Sequence, residues 1–256
     1  MEKKYILISG ASSGIGKACA QIFAKNGFSL ILFARRIKKL EQLQNELKSL
    51  YPEIEVHSFQ VDVRNPKEIE NAINQFSLGL KNNIHILLNN AGLALDRSTI
   101  DKGIIEDWDQ MIDTNLKGLL YLSKKIIPIM IENKKGHIIN MGSIAGKEVY
   151  PEGNVYCASK AAVDSISKAM RIDLLPHGIK VSQISPGAVE TEFSLVRYKG
   201  NVDLAKNVYN GFIPLKAEDI AESIFFLANQ PEHVCINDII ITPTAQANSV
   251  FFNKIL

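Results

Sequence analysis

The stretch "YILISGASSGIG", residues 5–16, joins an apolar run to three closely spaced glycines. Residues 5–9 are typical of a buried β-strand, and Gly10, Gly14 and Gly16 follow it in a G-x-x-x-G-x-G pattern where a helix begins. Glycines at such a turn let backbone amides and a helix N-terminus approach a pyrophosphate closely. A tight strand-to-helix turn without a ligand is the simpler alternative, but the position directly after the first strand favours nucleotide binding.

Six further short runs of strand-forming residues recur along the chain, at 30–34, 56–61, 84–89, 137–141, 179–185 and 236–242. Most are continuously apolar, as expected when helices cover both faces of a sheet. With helical patterns between them, they predict an α/β fold: a Rossmann-like, doubly wound, seven-stranded parallel sheet with helices on both faces. No linker or repeat interrupts the pattern, so we expect one domain over residues 1–256.

Apolar spacing also predicts the helices and one long connection. A single apolar stripe follows the second strand, formed by Ile37, Leu40, Leu43, Leu47 and Leu50. A long helix is predicted over about 107–134, where Pro128 should kink or open it, and another over about 154–175. Residues 186–216 are too long for an ordinary loop, and we expect them to form a substrate lid.

Composition excludes several classes of protein. Hydrophobic residues make up 46% of the 256 residues and charged residues 22%, which argues against disorder, and a net charge of +2 is too small to indicate a nucleic-acid or membrane partner. Neither a signal peptide nor an apolar run long enough to span a bilayer is recognisable. Three scattered cysteines suit a reducing compartment. We therefore expect a soluble, cytoplasmic protein, and we find no metal-ligand cluster among the five histidines.

Two arginines follow the second strand, where dinucleotide-binding proteins that use NAD carry an acidic residue for the adenosine ribose. Arg35 and Arg36 stand at the tip of "LILFA" (30–34), and no acid is present there. An arginine fork pairs with a phosphate through charge-assisted hydrogen bonds, so the sequence predicts NADP over NAD. Lys38 and Lys39, which come next, are expected to be only solvated.

A second group of polar residues lies further along the chain. Tyr156 and Lys160 are four residues apart on the predicted helix and so share one face. Ser143 ends the fifth strand at the carboxyl edge of the sheet, and Asn115 lies on the preceding long helix. Alone, the tyrosine and lysine could be a half-buried phenol beside a snorkelling lysine. Together with the glycine turn, the group indicates a catalytic site.

These motifs resemble the short-chain dehydrogenases/reductases, together with "VDV" (61–63) and "NNAG" (89–92). The resemblance implies that Tyr156 is the general acid/base, that Ser143 orients the substrate oxygen, that Lys160 serves the tyrosine and the nicotinamide ribose, and that Asn115 supports a proton path to Lys160. It also implies further cofactor contacts, for which we name Ser12, Ser13, Ile15, Asp62, Val63, Asn89, Ala91, Gly92, Pro186, Gly187, Val189 and Thr191 in addition to the glycines, arginines, Tyr156 and Lys160 already given.

Longer stretches, including "HIINMGSIAG" (137–146), "EGNVYCASK" (152–160) and "PTAQ" (243–246), are similar to the NADP-dependent 3-hydroxy acid dehydrogenase branch. Members of that branch act on L-serine, L-allo-threonine and related short acids, and some reduce malonic semialdehyde. Ser143 and Tyr156 would then contact the substrate, and Arg197 could clamp its carboxylate. Arg197 could equally pair with Glu190, Glu192 or solvent.

Two other functions remain open at this point. One is a broad carbonyl reductase for uncharged aldehydes and ketones, which would share every catalytic residue. The other is a non-catalytic NADP sensor, which should lack part of the catalytic group. The apolar tail, with Phe251, Phe252, Ile255 and Leu256, favours a homo-oligomer, and the family resemblance implies a tetramer. Cys157 is expected to pack in the core.

Overall fold

Across residues 3–255, which the computed structural model describes, seven strands form one sheet. The strands are β1 (Tyr5–Ser9), β2 (Ser29–Ala34), β3 (Val56–Gln60), β4 (Ile84–Asn89), β5 (His137–Met141), β6 (Lys180–Pro186) and β7 (Asp238–Ile241). Every neighbouring pair is parallel, in the order β3-β2-β1-β4-β5-β6-β7. The predicted Rossmann-like α/β fold is confirmed.

Helices fill the connections between the strands. They are α1 (Gly14–Lys25), α2 (Ile37–Leu50), α3 (Pro66–Asn74), α4 (Leu78–Lys81), α5 (Ile105–Ile112), α6 (Leu119–Glu132), α7 (Asn154–Asp173), α8 (Glu192–Arg197), α9 (Val202–Asn207) and α10 (Ala217–Ala228). Among the helices of residues 3–255, none is long and apolar enough to cross a membrane.

Both faces of the sheet are buried beneath helices. In β1, Ile6 and Ile8 pack with α1, α2 and α10, whereas Tyr5 and Leu7 pack with α3, α6 and α7 on the other face. All four side chains are buried. Successive strand residues point to opposite faces, so a strand covered on both faces is apolar throughout. This double burial explains the continuous apolar runs in the sequence.

Helix α2 shows how helical periodicity builds one of these layers. Leu40, Leu43 and Leu47 are buried in the cluster that covers the sheet. Each such side chain contributes about 1.5–3 kcal/mol when it is removed from water. Leu50, the last residue of the helix, is 61% exposed. The predicted apolar stripe therefore stops at Leu47.

The helix predicted over 107–134 spans residues 105–132 and contains an irregular turn. A π-helix, Asp113–Gly118, joins α5 to α6 without a break. Its i→i+5 hydrogen bonds put one extra residue into the turn, and such turns are frequent at functional sites. Pro128 lies inside α6, so the irregular turn comes before the proline rather than at it. The π-helix carries Asn115 into a buried position.

Residues 186–216 contain α8 and α9 and pack over the carboxyl ends of the strands. The Asp96 amide donates to the Arg197 carbonyl at 2.8 Å, and Lys199 pairs with Asp107 at 2.7 Å. The tail after β7 also reaches this segment, because the Ile255 amide donates to the Gly211 carbonyl at 2.8 Å. Hydrogen bonds and ion pairs thus hold the segment at several points.

Part of the apolar tail is packed against its own chain and part of it is exposed. Phe252 packs on Phe212 with ring centroids 5.1 Å apart, so it is covered by its own chain. Phe251 and Ile255 are 68% and 82% exposed, whereas Leu256 lies outside the described residues. The exposed part of the tail is therefore smaller than the sequence suggests.

In helix α7, Cys157 is buried, as predicted.

Candidate active site

The glycine turn after β1 forms the base of a cleft at the carboxyl ends of the strands. Gly10 has a φ of +69°, and a Cβ on it would lie 2.9 Å from Asn90 Nδ2. A Cβ on Gly16 would lie 2.4 Å from the Gly10 carbonyl oxygen. Only glycine fits either position, because one needs the left-handed region and the other a close backbone approach. The sequence pattern is thus explained by the local geometry.

The cleft has a volume of about 1000 Å³ and opens where the strand order reverses between β1 and β4. Open α/β sheets bind ligands at this position. The predicted cofactor-binding, catalytic and substrate residues all line it except Gly16, Asn89 and Asn115. Gly16 lies beneath the turn, where it packs against the Gly10 backbone. The structure therefore brings together residues from distant parts of the sequence.

Asn89 does not contribute its side chain to the cleft. Its amide is buried and donates to Asn140 Oδ1 in β5 and Ser123 Oγ in α6, both at 2.9 Å, on the face of the sheet that α6 covers. The next residue, Asn90, lines the cleft, and its Nδ2 donates to the Ser9 carbonyl oxygen at 2.9 Å. Neighbouring residues point to opposite sides of a strand end. The cofactor contact predicted for Asn89 therefore cannot come from its side chain, and the side chain that reaches the cleft is that of Asn90.

The basic tip of β2 is occupied by an acidic side chain. Arg36 Nη1 lies 2.7 Å from Glu192 Oε2, and Lys39 Nζ lies 2.8 Å from Glu192 Oε1. The prediction that Lys39 is only solvated is therefore wrong, whereas Lys38 is exposed. Arg36 also donates to Ser13 Oγ at 2.6 Å. Because Glu192 belongs to α8, this ion pair joins two sides of the cleft.

Asp62, beside the same region, is held by Arg64. Arg64 Nε lies 3.0 Å from both carboxylate oxygens of Asp62. Burial favours a higher pKa for this carboxyl, but the hydrogen bonds and charge of Arg64, aided by the charge of Arg35, lower its pKa overall. Asp62 is therefore a fixed, ionised acceptor that lines the cleft.

Tyr156, Ser143 and Lys160 meet on the opposite side of the cleft. Lys160 is 4% exposed and its Nζ donates to the Met141 carbonyl oxygen at 2.8 Å. Burial lowers the pKa of Lys160 to about 8. Burial raises the pKa of Tyr156, although the charge of Arg197 and a hydrogen bond with Ser143 oppose the rise. The positive charge that acts on Tyr156 is thus supplied by Arg197, the last residue of α8.

Asn115 supports the wall of the cleft rather than lining it. Its Nδ2 donates to the Leu93 carbonyl oxygen at 2.8 Å and to Ser159 Oγ at 3.0 Å, and its Oδ1 accepts from the Leu93 amide at 2.8 Å. A Cβ on Gly92 would lie 3.2 Å from Asn115 Oδ1 and 3.5 Å from Lys160 Nζ. Asn115 therefore fixes the backbone beside the Lys160 amine.

Arg197 reaches over Tyr156 from the end of α8. Its guanidinium carbon lies 5.0 Å from the centroid of the Tyr156 ring and 5.1 Å from that of Phe193. One terminal nitrogen donates to Tyr150 Oη at 3.1 Å, whereas the buried Nε has no hydrogen-bond partner. Pairing of Arg197 with Glu192 is not seen, because Glu192 contacts Arg36 instead.

Several residues that line the cleft were not predicted as site residues, and Tyr150, Phe193 and Gln246 are three of them. Tyr150 and Phe193 contact Arg197, and their adjacency to the recognised motifs was the only signal available. Gln246, in the "PTAQ" motif, is 6% exposed and its Oε1 accepts from the Ala188 amide at 2.8 Å. It thereby ties the tail to the start of residues 186–216. Within residues 3–255, no three His, Cys, Asp or Glu side chains converge as metal ligands.

The fold and the polar cluster of Ser143, Tyr156 and Lys160 define an oxidoreductase of the dinucleotide-binding α/β class. Comparison with protein families is more specific, since the model described as short chain dehydrogenase matches residues 4–200. That match covers more than half of the chain, so the protein belongs to the short-chain dehydrogenase family.

Close relatives extend the similarity over nearly the whole chain. Sulfoacetaldehyde reductase 2 of Chromohalobacter salexigens is 41% identical over 96% of both chains. The NADP-dependent 3-hydroxy acid dehydrogenase of Schizosaccharomyces pombe is 41% identical over 98% of this chain and 97% of that one. Among solved structures, the closed form of serine dehydrogenase complexed with NADP+ is 39% identical, with a TM-score of 0.92, and the match covers 96% of this chain and 97% of that chain.

Proposed function

We propose that this protein is an NADP(H)-dependent oxidoreductase that interconverts a short 3-hydroxy acid, or its sulfonate counterpart, with the corresponding carbonyl compound. Arg197 carries the proposal, because its guanidinium lies over the Tyr156 ring and its buried Nε is unpaired. A buried donor without a partner costs about 1–3 kcal/mol. An anionic group of a substrate bound beside Tyr156 would satisfy this donor.

Two features of the cleft support NADP(H) as the cofactor. The close approaches at Gly10 and Gly16 leave backbone amides free of side-chain bulk where a pyrophosphate would lie. Arg35 and Arg36 line the cleft at the tip of β2, where an acid for the ribose of NAD is absent. Two relatives point the same way, since one is named as NADP-dependent and the other was solved with NADP+.

The polar cluster suits proton transfer at the substrate oxygen. The nicotinamide ring, when bound, supplies or accepts the hydride at the reacting carbon. Tyr156 accepts the hydroxyl proton during oxidation and returns it during carbonyl reduction, while Ser143 orients that oxygen. Lys160, with a pKa of about 8, is mostly cationic at neutral pH and stabilises the phenolate form of Tyr156. Asn115 positions the adjoining backbone.

The names of the relatives share one chemical feature. In serine and other 3-hydroxy acids, the hydroxyl-bearing carbon is next to the carbon that carries the carboxylate. In sulfoacetaldehyde, the carbonyl carbon is next to the carbon that carries the sulfonate. The reacting carbon therefore lies two bonds from the central atom of an anionic group in each case. A cation fixed close to the general acid/base suits that short spacing, which is the relation of Arg197 to Tyr156.

Residues 186–216, called the lid from here on, would close over this substrate. The lid carries Arg197 and contacts the rest of the cleft through ion pairs that can break and re-form. A carbonyl reductase for uncharged substrates would leave the Arg197 Nε unpaired, so this alternative is less well supported. A non-catalytic NADP sensor is disfavoured because Ser143, Tyr156 and Lys160 all line one cleft.

An activity panel tests the proposal. It compares L-serine, L-allo-threonine, 3-hydroxyisobutyrate, 3-hydroxypropionate, 2-hydroxyethanesulfonate, the methyl ester of 3-hydroxypropionate and simple ketones, each with NADP(H) and with NAD(H). We expect a free acid anion with NADP(H) to give the highest kcat/KM. Arg197→Met should lower that value by about 10- to 100-fold, whereas the methyl ester should be nearly unaffected and Arg197→Lys should retain part of the preference.

Equal rates for the acid and its methyl ester in the wild-type protein would refute the anion clamp. The panel then identifies the uncharged-substrate reductase, provided that ketones are turned over. We also propose a homo-oligomer, which the exposed side chains of Phe251 and Ile255 support, and specifically a tetramer, which the family resemblance implies. Light scattering measures its mass, and a monomer would contradict this assignment.

A further inference from the structure

Glu192 lies between the lid and the basic tip of β2. Its two carboxylate oxygens are shared between two cations, Oε2 with Arg36 and Oε1 with Lys39. The hydrogen bond from Lys39, together with the contacts from Arg36, outweighs partial burial and lowers the pKa of Glu192 to about 2. Glu192 is therefore a carboxylate at any pH at which the enzyme would work.

Arg36 is in addition tied to the glycine turn. Its Nη2 donates to Ser13 Oγ at 2.6 Å, and its Nε donates to Ser12 Oγ at 3.2 Å. One guanidinium thus joins the turn after β1, the tip of β2 and the first residue of α8. Glu192 presents one oxygen to Arg36 and the other to Lys39, and two oxygens of a phosphate can be held by two cations in the same way. The contacts of Glu192 are those expected of a bound phosphate.

Resting on the proposed use of NADP(H), we propose that Glu192 is a specificity-determining residue for the cofactor. It limits the affinity for NADP(H) and leaves that for NAD(H) unchanged. Its carboxylate occupies Arg36 and Lys39, two of the cations at the tip of β2 that lie where the 2′-phosphate would bind, and NADP(H) binding displaces it. A phosphate dianion and a carboxylate repel each other when they compete for the same two cations. NAD(H) lacks the phosphate, so it leaves the Glu192 contacts in place.

The displacement has a consequence for the substrate side of the cleft. Glu192 is the first residue of α8 and Arg197 is the last, so one six-residue helix carries both. When Glu192 is paired, the α8 helix is fixed at its beginning to the tip of β2. Release by the 2′-phosphate frees that end, while the contacts of Ser194 with Tyr209 and of Arg197 with Tyr150 still hold the rest of the helix.

Calorimetric titration tests the inference independently of catalysis. The dissociation constants of NADP+ and NAD+ are measured at low ionic strength for the wild-type protein and for Glu192→Gln. We expect Glu192→Gln to bind NADP+ about three- to tenfold more tightly, because an exposed ion pair no longer competes. Its affinity for NAD+ should change by less than about twofold. Glu190→Gln removes the same charge from an exposed neighbour and should alter neither constant.

Three outcomes would overturn the inference. They are weaker binding of NADP+ to Glu192→Gln, unchanged binding, or equal tightening for both dinucleotides. As a second variant set, Glu192→Gln is combined with Arg36→Ala and Lys39→Ala, where it should have no effect on NADP+ binding. Thermal melting of each variant verifies that it is folded. Failure of the wild-type protein to bind NADP+ would instead refute the proposed cofactor, and the inference with it.

Discussion

Replacing Lys160 with methionine should stabilise the cofactor-free protein at neutral pH while abolishing catalysis. Lys160 is 4% exposed, and burial lowers its pKa from 10.5 to about 8. One pKa unit corresponds to about 1.36 kcal/mol, so keeping this buried amine charged costs about 3 kcal/mol below pH 8. Its hydrogen bond to the Met141 carbonyl returns about 1 kcal/mol. The expected gain in the free energy of unfolding is therefore about 2 kcal/mol.

The sign of the pH dependence follows from the same shift. Between pH 8 and about 10.5 the unfolded chain retains a proton on Lys160 that the folded protein has lost, so wild-type stability rises with pH in that window. Lys160→Met has no such group. The gain in the free energy of unfolding of Lys160→Met over wild type should be complete below pH 8 and should disappear by about pH 10.

Urea unfolding, followed by the fluorescence of Trp108, measures the free energy of unfolding of wild type and Lys160→Met. Repeating it at pH 7 and pH 10 gives the pH dependence of their difference. The cofactor is left out and the protein concentration is kept equal, because ligands and subunit association shift apparent stability. Lys168→Met on the same helix is the control, since Lys168 is 63% exposed and its loss should change stability by less than about 0.5 kcal/mol. A Lys160→Met protein that is less stable than wild type at pH 7, or a difference independent of pH, would refute the reasoning.

Two further predictions concern activity. Tyr156→Phe should lower kcat by at least about 1000-fold because the proton donor is lost, while calorimetry still detects NADP+ binding; residual turnover near the wild-type rate would remove Tyr156 from the mechanism. Arg35→Ala combined with Arg36→Ala should raise the KM for NADPH by about 10- to 100-fold and that for NADH far less, and steady-state kinetics with equal effects on both would contradict the phosphate role.

Much of the fold was predictable because local patterns determine it. Burial on both faces makes each central strand apolar. The glycines after β1 are spaced as the turn at the base of the cleft requires. The π-helix was not predictable, because an i→i+5 turn leaves no distinctive pattern of apolar side chains. The helix could be recognised, but its internal irregularity could not.

For the site, motifs predicted which residues gather but not always what each contacts. Asn89 and Asn90 are adjacent asparagines, and only the direction of the strand end decides which one faces the cleft. Lys39 pairs with Glu192, which is 153 residues away in the sequence, so no local pattern could reveal the contact. The unpaired Nε of Arg197 likewise depends on packing by residues from several elements.

The π-helix at Asp113–Gly118 has a consequence for insertions and deletions. Each helical residue advances about 100° around the axis, so the extra residue offsets the faces of α5 and α6 by that angle. Both helices bury their own set of side chains, including Met111 before the turn and Leu122 after it. Deleting one residue here would restore a regular helix but rotate one half out of register with its neighbours. Length variation should therefore be tolerated in the surface loops long before it is tolerated in this turn.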